Sequence, residues 1–238
     1  MIPINNMHNF SDALPPGVQE EIDAISNFRN VPQGGMIFRA GGACTELVQI
    51  RAGEAKVSSC NREGREAVAA LIRPGDWIGV SEIFSGLPTM SDVLALSPVK
   101  LRAIGKRDFE ALIDRHPVLA RHLLRLLSLR FSAIYYMDVD RSVLTLKERV
   151  LKTLYMLSFS HGKTAGDEDG ILIALSQAEL GKLLAASRQN LNRVLKGLEQ
   201  ERLLTVRYGG VRLHGLEAIR QRYGYLVNVD QPAPVYGE

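Results

Sequence analysis

The chain has 238 residues, 46% of them hydrophobic and 23% charged, an ordinary soluble composition long enough for two domains with their own cores. No apolar run approaches the roughly 18 residues of a membrane span, and MIPINNMHNF lacks the basic-then-apolar order of a secretion signal. The expected compartment is therefore the cytoplasm, with no membrane partner. The formal net charge of +3 is unevenly placed: Thr145–Tyr225 holds 13 Lys/Arg against 8 Asp/Glu, whereas Met1–Leu144 holds 16 of each.

Leu14–Phe28 reads as a helix, with Val18, Ile22 and Ile25 on one side. From Pro32 to Ala103 the pattern changes to short apolar runs: Met36–Arg39, Leu47–Ile50, Ala55–Ser59, Ala67–Ile72, Trp77–Gly79, Val93–Ala95 and Lys100–Ile104. Turn signals at Gly41–Gly42, Ala52–Glu54, Asn61–Gly64 and Pro74–Asp76 separate them, as in a sandwich or β-roll. Asp108–His116 is expected to be a short helix. Pro117 then opens a long one, because proline is tolerated in a first turn. Within it Ala120, Leu124, Leu127, Phe131 and Ile134 recur at alternating steps of four and three, the seam spacing of a coiled coil. Packing inside one chain would produce the same pattern. Against that, Arg121, Arg125 and Arg130 leave much of the helix exposed, which favours a two-chain seam.

A further helix is expected after Asp140–Arg141, opened by the capping box of Thr145 and Glu148 and buried through Val150, Leu151, Leu154 and Leu157. His161–Gly170 reads as a polar loop. Ser176 and Glu179 form a second box before a short helix carrying Leu180, Leu183 and Leu184. After a break at Ala186–Ser187, Leu191, Val194, Leu195 and Leu198 give the next helix one buried stripe. Its other side shows Arg188, Gln189, Asn192, Arg193 and Lys196. Two short helices joined by a tight turn, the second basic and amide-rich, predict a helix-turn-helix. Arg can bond guanine O6 and N7, and Gln or Asn adenine N6 and N7. Arg188, Gln189 and Arg193 are therefore the candidate base readers, with Ser176, Gln177, Ser187, Asn190 and Lys196 placed against phosphates. Leu203–Arg207 and Val211–Leu213 flank Tyr208–Gly209–Gly210 as a hairpin, a wing that adds Arg207 and Arg212 to the phosphate set. Asn228–Glu238, with two prolines, is expected to be loose. The fold class is α+β.

In this order of elements the chain resembles the family of the catabolite activator protein and the fumarate-nitrate regulator (Crp/Fnr). Arg73–Pro74–Gly75–Asp76–Trp77–Ile78–Gly79 and Ser187–Lys196 carry the likeness most specifically. It implies a cyclic-nucleotide-binding-like sensor over 1–116 and a dimerisation helix and hinge over 117–141. A winged helix-turn-helix over 142–226 and a tail over 227–238 follow. It also implies a homodimeric transcription regulator on a two-fold symmetric DNA operator, with RNA polymerase as a partner. The family's base-reading positions fall on Arg188, Gln189 and Arg193, with Gln189 where an acid is usual.

The sensor departs from the cyclic-AMP-binding pattern. Val80 stands in place of the ribose-binding Glu, and Thr89–Met90–Ser91 in place of the phosphate-binding Arg-Ser pair. No Lys or Arg occurs from Pro74 to Val99, so a buried phosphate would lack a cation. The candidate effector pocket is lined by Val80, Ser81, Glu82, Thr89, Met90 and Ser91, with Ile134 and Tyr135 from the long helix; its effector is unidentified. No cofactor or metal is expected. Cys44 and Cys60 are too few for a cluster held by four thiolates, and residues 9–115 contain no His to hold haem or a cupin metal. Two cysteines in a cytoplasmic roll are read as buried structural thiols rather than a redox pair. The alternative reading is a ligand-binding module that acts on a protein partner. An enzyme ranks third, for there is no GxSxG and no phosphate-cradling Gly-Lys loop.

Overall fold

The computed structural model describes residues 10–164 and 170–223. They form two compact units that divide between Arg130 and Phe131. The proposed tail lies outside the described residues. No helix among the described residues is long and apolar enough to cross a membrane.

The first unit is built on two four-stranded antiparallel sheets. One orders β1(Asn27–Val31), β8(Val99–Gly105), β3(Glu46–Ala52) and β6(Trp77–Ile78); the other β2(Met36–Phe38), β7(Asp92–Ala95), β4(Ala55–Cys60) and β5(Glu66–Ile72). Val48, Ile50, Leu101 and Ala103 of the first sheet pack with Phe38, Ala55, Ile72, Val93 and Ala95 of the second to make the core. The seven expected runs all become strands. The eighth strand, β1, overlaps the expected helix at Asn27–Phe28 and continues through three residues for which the sequence predicts no element. Instead α1 spans only Pro16–Ala24, and the chain crosses to pair Asn27–Val31 with Val99–Ala103. Four of the five β1 residues are exposed, Phe28 among them at 66%, so no apolar alternation announces this edge strand.

Two glycines matter for the turns. Gly53 has φ +83°, and a Cβ there would come 2.2 Å from the Pro98 carbonyl oxygen. Gly79 has φ +92° and opens the short helix α2(Val80–Ser85), which Gly86 closes. A Cβ on Gly79 would meet the Glu46 carbonyl at 2.9 Å and the Cys44 sulfur at 3.2 Å, so the strand-to-helix corner requires glycine. Fully buried Trp77 packs on Phe10, with ring centroids 5.2 Å apart, and the Arg102 guanidinium lies 5.0 Å over its ring. Arg102 in turn pairs with Asp23 of α1. After α3(Lys106–Arg115) comes α4(Pro117–Val143). Leu119, Leu123, Leu126 and Leu129 are buried on one side of α4. Arg130 donates to the Trp77 carbonyl.

The second unit holds α5(Leu146–Ser160), α6(Gln177–Leu184) and α7(Arg188–Gln200) with a four-stranded sheet. The sheet orders β11(Leu204–Arg207), β12(Gly210–Leu213), β10(Ile171–Ile173) and β9(Gly162–Thr164). Its α4 portion continues three residues beyond Asp140. Asp140 pairs with Lys152 of α5 at 2.5 Å, and the helix yields only at Leu144–Thr145. Both halves of the Thr145–Glu148 capping box are made. Three further elements have no counterpart in the sequence reading: β9 and β10, in and after the segment expected to be a loop, and α8(Leu216–Tyr223). Residues 165–169 lie outside the described set.

Candidate nucleic-acid interface

The α6–α7 corner is assembled by local chemistry. Ser176 accepts from the Glu179 amide at 3.1 Å and starts α6, while the Glu179 carboxylate takes Lys182 at 3.2 Å. Ala185 ends α6 in the left-handed region at φ 50°, and the Ala186 amide closes the turn on the Gly181 carbonyl at 2.9 Å. A Cβ at Gly181 would lie 3.3 Å from the Ala186 oxygen and 3.6 Å from Leu191, so the missing side chain brings the two helices together. Ser187 then caps α7 by accepting from Asn190 at 3.3 Å.

Leu191, Leu195 and Leu198 bury one side of α7, and Val194 lies half-buried beside them. At 100° per residue Gln189, Arg193, Lys196 and Gln200 fall on the opposite side. All four are exposed, as are Ser187, Arg188 and Asn190; Asn192 is half-buried. The α7 N-terminus adds a positive dipole end to that surface. Ser176 and Gln177 are half-buried at the start of α6. Nearby acids are turned inward: Glu199 accepts the Val206 amide at 2.8 Å, and Glu201 pairs with Lys147. That hydrogen bond raises the Lys147 pKa, so the lysine stays charged. The free surface of the corner is left positive, carrying guanidinium, ammonium and amide groups.

One phosphate candidate is overturned. Arg212 is only 7% exposed, in the central strand β12, between β11 and β10, where all four residues are buried. It cannot present its head to a duplex. Arg207 is exposed at the end of β11, and next to it Tyr208 is exposed to 108%. Sequence reasoning passed over Tyr208, although its place between Arg207 and Gly209–Gly210 marks the apex of the hairpin.

The effector candidates differ in exposure. Val80 is fully buried, Ser81 and Glu82 are half-buried, and Met90 is 68% exposed. Thr89, 6% exposed, donates its hydroxyl to the Arg39 carbonyl and lies 3.1 Å from that of Gly42. Its backbone exchanges hydrogen bonds with Gly41 and Gly42 at 2.8 and 2.9 Å. Ser91 Oγ meets Ser59 Oγ at 2.9 Å, and Asp92 accepts the Ala40 amide at 2.8 Å. Ile134 and Tyr135 belong to the second unit and are exposed there, at 67% and 58%. Of the two thiols, Cys44 is half-buried against the Glu46 carbonyl; burial, reinforced by Glu82, raises its pKa and keeps it protonated. Cys60 is exposed, contrary to the expectation of two buried thiols, because it ends β4 at the sheet's rim.

Residues 28–116 match the cyclic nucleotide-binding domain and residues 148–222 the Crp-like helix-turn-helix domain, one in each unit. The chain belongs to the Crp/Fnr family of transcription regulators. As a Crp/Fnr regulator it is a DNA-binding protein. It is 28% identical over 197 residues to the cyclic AMP receptor protein of Thermus thermophilus, covering 82% of this chain and 88% of that one. To the fumarate and nitrate reduction regulatory protein of Shigella dysenteriae it is 23% identical over 219 residues, covering 89% and 86%. Among solved structures, the c-di-GMP-responsive global regulator CLP of Xanthomonas campestris shares the fold. Its TM-score is 0.74 at 23% identity, covering 84% of this chain and all of that one. FixK2 of Bradyrhizobium japonicum follows at TM-score 0.72 and 19% identity, covering 85% and 97%.

Proposed function

We propose that this Crp/Fnr regulator acts as a homodimer on a two-fold symmetric operator. In each half-site Arg188, Gln189 and Arg193 read base edges, and Ser176, Gln177, Ser187, Asn190, Lys196 and Arg207 hold phosphates. The observation that carries the reading is the free face of α7, where Gln189, Arg193 and Lys196 stand exposed opposite a buried leucine stripe. Dimerisation is supported by α4. Leu119, Leu123 and Leu126 satisfy one side, while Leu124, Phe131 and Ile134 stay 67%, 72% and 67% exposed, with Ala120 also exposed and Leu127 half-buried. RNA polymerase is the expected protein partner and the cytoplasm the expected compartment.

The first unit is a sensor that does not take a cyclic nucleotide, although the Thermus relative is named for cyclic AMP. The segment 74–99 supplies no cation, and the hydroxyls of Thr89 and Ser91 are spent within the chain. The DNA reading is tested by anisotropy titrations with operator and random duplexes at several salt concentrations. Arg188→Ala and Arg193→Ala should each cost about 1–3 kcal/mol and relax preference at one base pair per half-site. Lys196→Ala should weaken binding to every duplex and flatten the salt slope by about one. Unchanged binding by both arginine variants, with native circular dichroism, sinks the assignment.

A further inference from the structure

The turn that joins α6 to α7 is held in a strained conformation. Ala185 sits at φ 50° and ψ 42°, the left-handed region that a Cβ disfavours and that only glycine enters freely. Such strain persists where the surroundings over-determine it. Backbone bonds supply part of the constraint: the Ala186 amide reaches the Gly181 carbonyl at 2.9 Å, and the Ala185 amide that of Lys182 at 3.4 Å. The rest comes from α5. The last carbonyls of a helix find no amide within it, and that of Leu184 accepts Arg149 Nη1 at 3.2 Å. A guanidinium placed there also faces the negative end of the α6 dipole.

Nothing in α5 itself selects arginine at this position. Its amide bonds the Thr145 carbonyl at 3.0 Å, one turn inside the helix, where a cation opposes the α5 dipole. Its Nε is buried without a hydrogen-bond partner, a cost that an apolar side chain of similar length would avoid. What arginine adds is the bond to Leu184. α5 also packs on α7, so one helix supports the recognition helix along its side and α6 at its end. We infer that Arg149 is a positioning residue for operator recognition. By fixing the Leu184 carbonyl it sets the angle at which α7 presents Arg188, Gln189 and Arg193, and it does so without touching DNA. The inference rests on the proposed base reading by α7.

The test titrates the full chain by anisotropy with two duplexes at several salt concentrations. One is an operator that wild type selects from a randomised pool, and the other is random. Arg149→Met should lower the ratio of operator to random affinity about tenfold, through the loss of one charge-assisted hydrogen bond. Its salt slope should keep the wild-type value, because Arg149 neutralises no phosphate. Arg149→Lys keeps the charge without the planar fork, and its ratio should fall about threefold. Glycine enters the left-handed region without strain, so adding Ala185→Gly to either variant should restore the ratio. Operator and random affinities that fall in equal proportion overturn the inference, by making Arg149 a support of the fold alone. So does a wild-type ratio in Arg149→Met. A salt slope lower by about one also overturns it, by placing Arg149 on a phosphate. Should Arg149→Met not fold, Arg149→Lys decides, and an unaltered ratio there overturns the inference. If wild type selects no operator, or Arg193→Ala keeps the full ratio, it is the α7 reading that fails.

Discussion

Leu124→Ala separates the two sides of α4. Leu124 is 67% exposed in the single chain, whereas its neighbour Leu123 is 1% exposed. Truncating leucine removes three carbons, each worth about 0.8 kcal/mol when buried. With two thirds of that burial still to be gained in a two-chain seam, the loss is about 1.6 kcal/mol per chain. The dimer contains the residue twice, so about 3 kcal/mol is lost and the dimer Kd rises about 200-fold. Leu124→Asp should do more, since two carboxylates would meet in the seam. Neither change should alter the monomer's unfolding free energy in urea melts by more than about 0.5 kcal/mol, the ordinary range for a surface site. Leu123→Ala is the counterpart: it should cost about 2–5 kcal/mol of stability by opening a cavity. Sedimentation equilibrium measures the Kd, and urea melts measure the fold. A wild-type chain that sediments as a monomer at micromolar concentration refutes the reasoning. So does a Leu124→Ala variant whose Kd matches wild type while its fold is intact.

Arg212→Ala should lower the melting temperature and leave the salt slope of DNA binding at its wild-type value, because the side chain is buried in β12; a slope reduced by about one would return it to the phosphate set. Asp76, 9% exposed, has its carboxyl pushed upward by burial, against the Arg73 amide and the Arg130 and Arg73 guanidinium groups. A raised folded-state pKa means that its contribution is complete below the ordinary carboxyl pKa and is lost as pH rises through the raised value. Asp76→Asn keeps an acceptor for the Arg73 amide and should flatten that decline in urea melts run upward from about pH 4; an unaltered profile refutes the assignment. Calorimetric titration with cyclic AMP or cyclic GMP to millimolar concentration should show no binding and no change in operator affinity. A micromolar Kd for either would contradict the sensor reading.

How much could be read from the chain depended on whether the deciding interaction was local. The α7 stripe of Leu191, Leu195 and Leu198, the Ser176 and Ser187 caps and the Gly-rich hairpin are short-range patterns, and each appears as expected. The strand β1 was missed because NFRNV forms only by pairing with β8, some 70 residues away in sequence, and its exposed side chains carry no period. Arg212 was misplaced for a related reason. In Val211–Arg212–Leu213 the alternation puts Arg on the outer side, which is correct for a free hairpin. β12 is central, however, flanked by β11 and β10, and α5 packs on the same sheet, so all four of its residues are buried. The seam on α4 was legible as spacing. That spacing could not say which leucines the chain itself would cover, and only the burial of Leu119, Leu123 and Leu126 sorts them.

Two independent features of the first unit weigh against an anionic effector. The sequence withholds a cation from residues 74–99, which bears on charge alone and would be met in part if backbone amides turned toward the ligand. The fold bears on those amides. Gly41 gives its N–H to the Thr89 carbonyl, Thr89 to Gly42, and Ala40 to the Asp92 carboxylate. The Thr89 hydroxyl is likewise committed to the Arg39 carbonyl. A phosphate entering there would have to break several of these hydrogen bonds, each worth about 1 kcal/mol net. It would then face the Arg39 and Gly42 carbonyls and the Asp92 carboxylate, all acceptors and all repulsive to an anion. Supplying one arginine near Met90 would repair the charge and leave the donors spent. On the proposed reading, cyclic-nucleotide affinity would need segment 39–42 released from segment 89–92 as well, and a single substitution to Arg should not confer it.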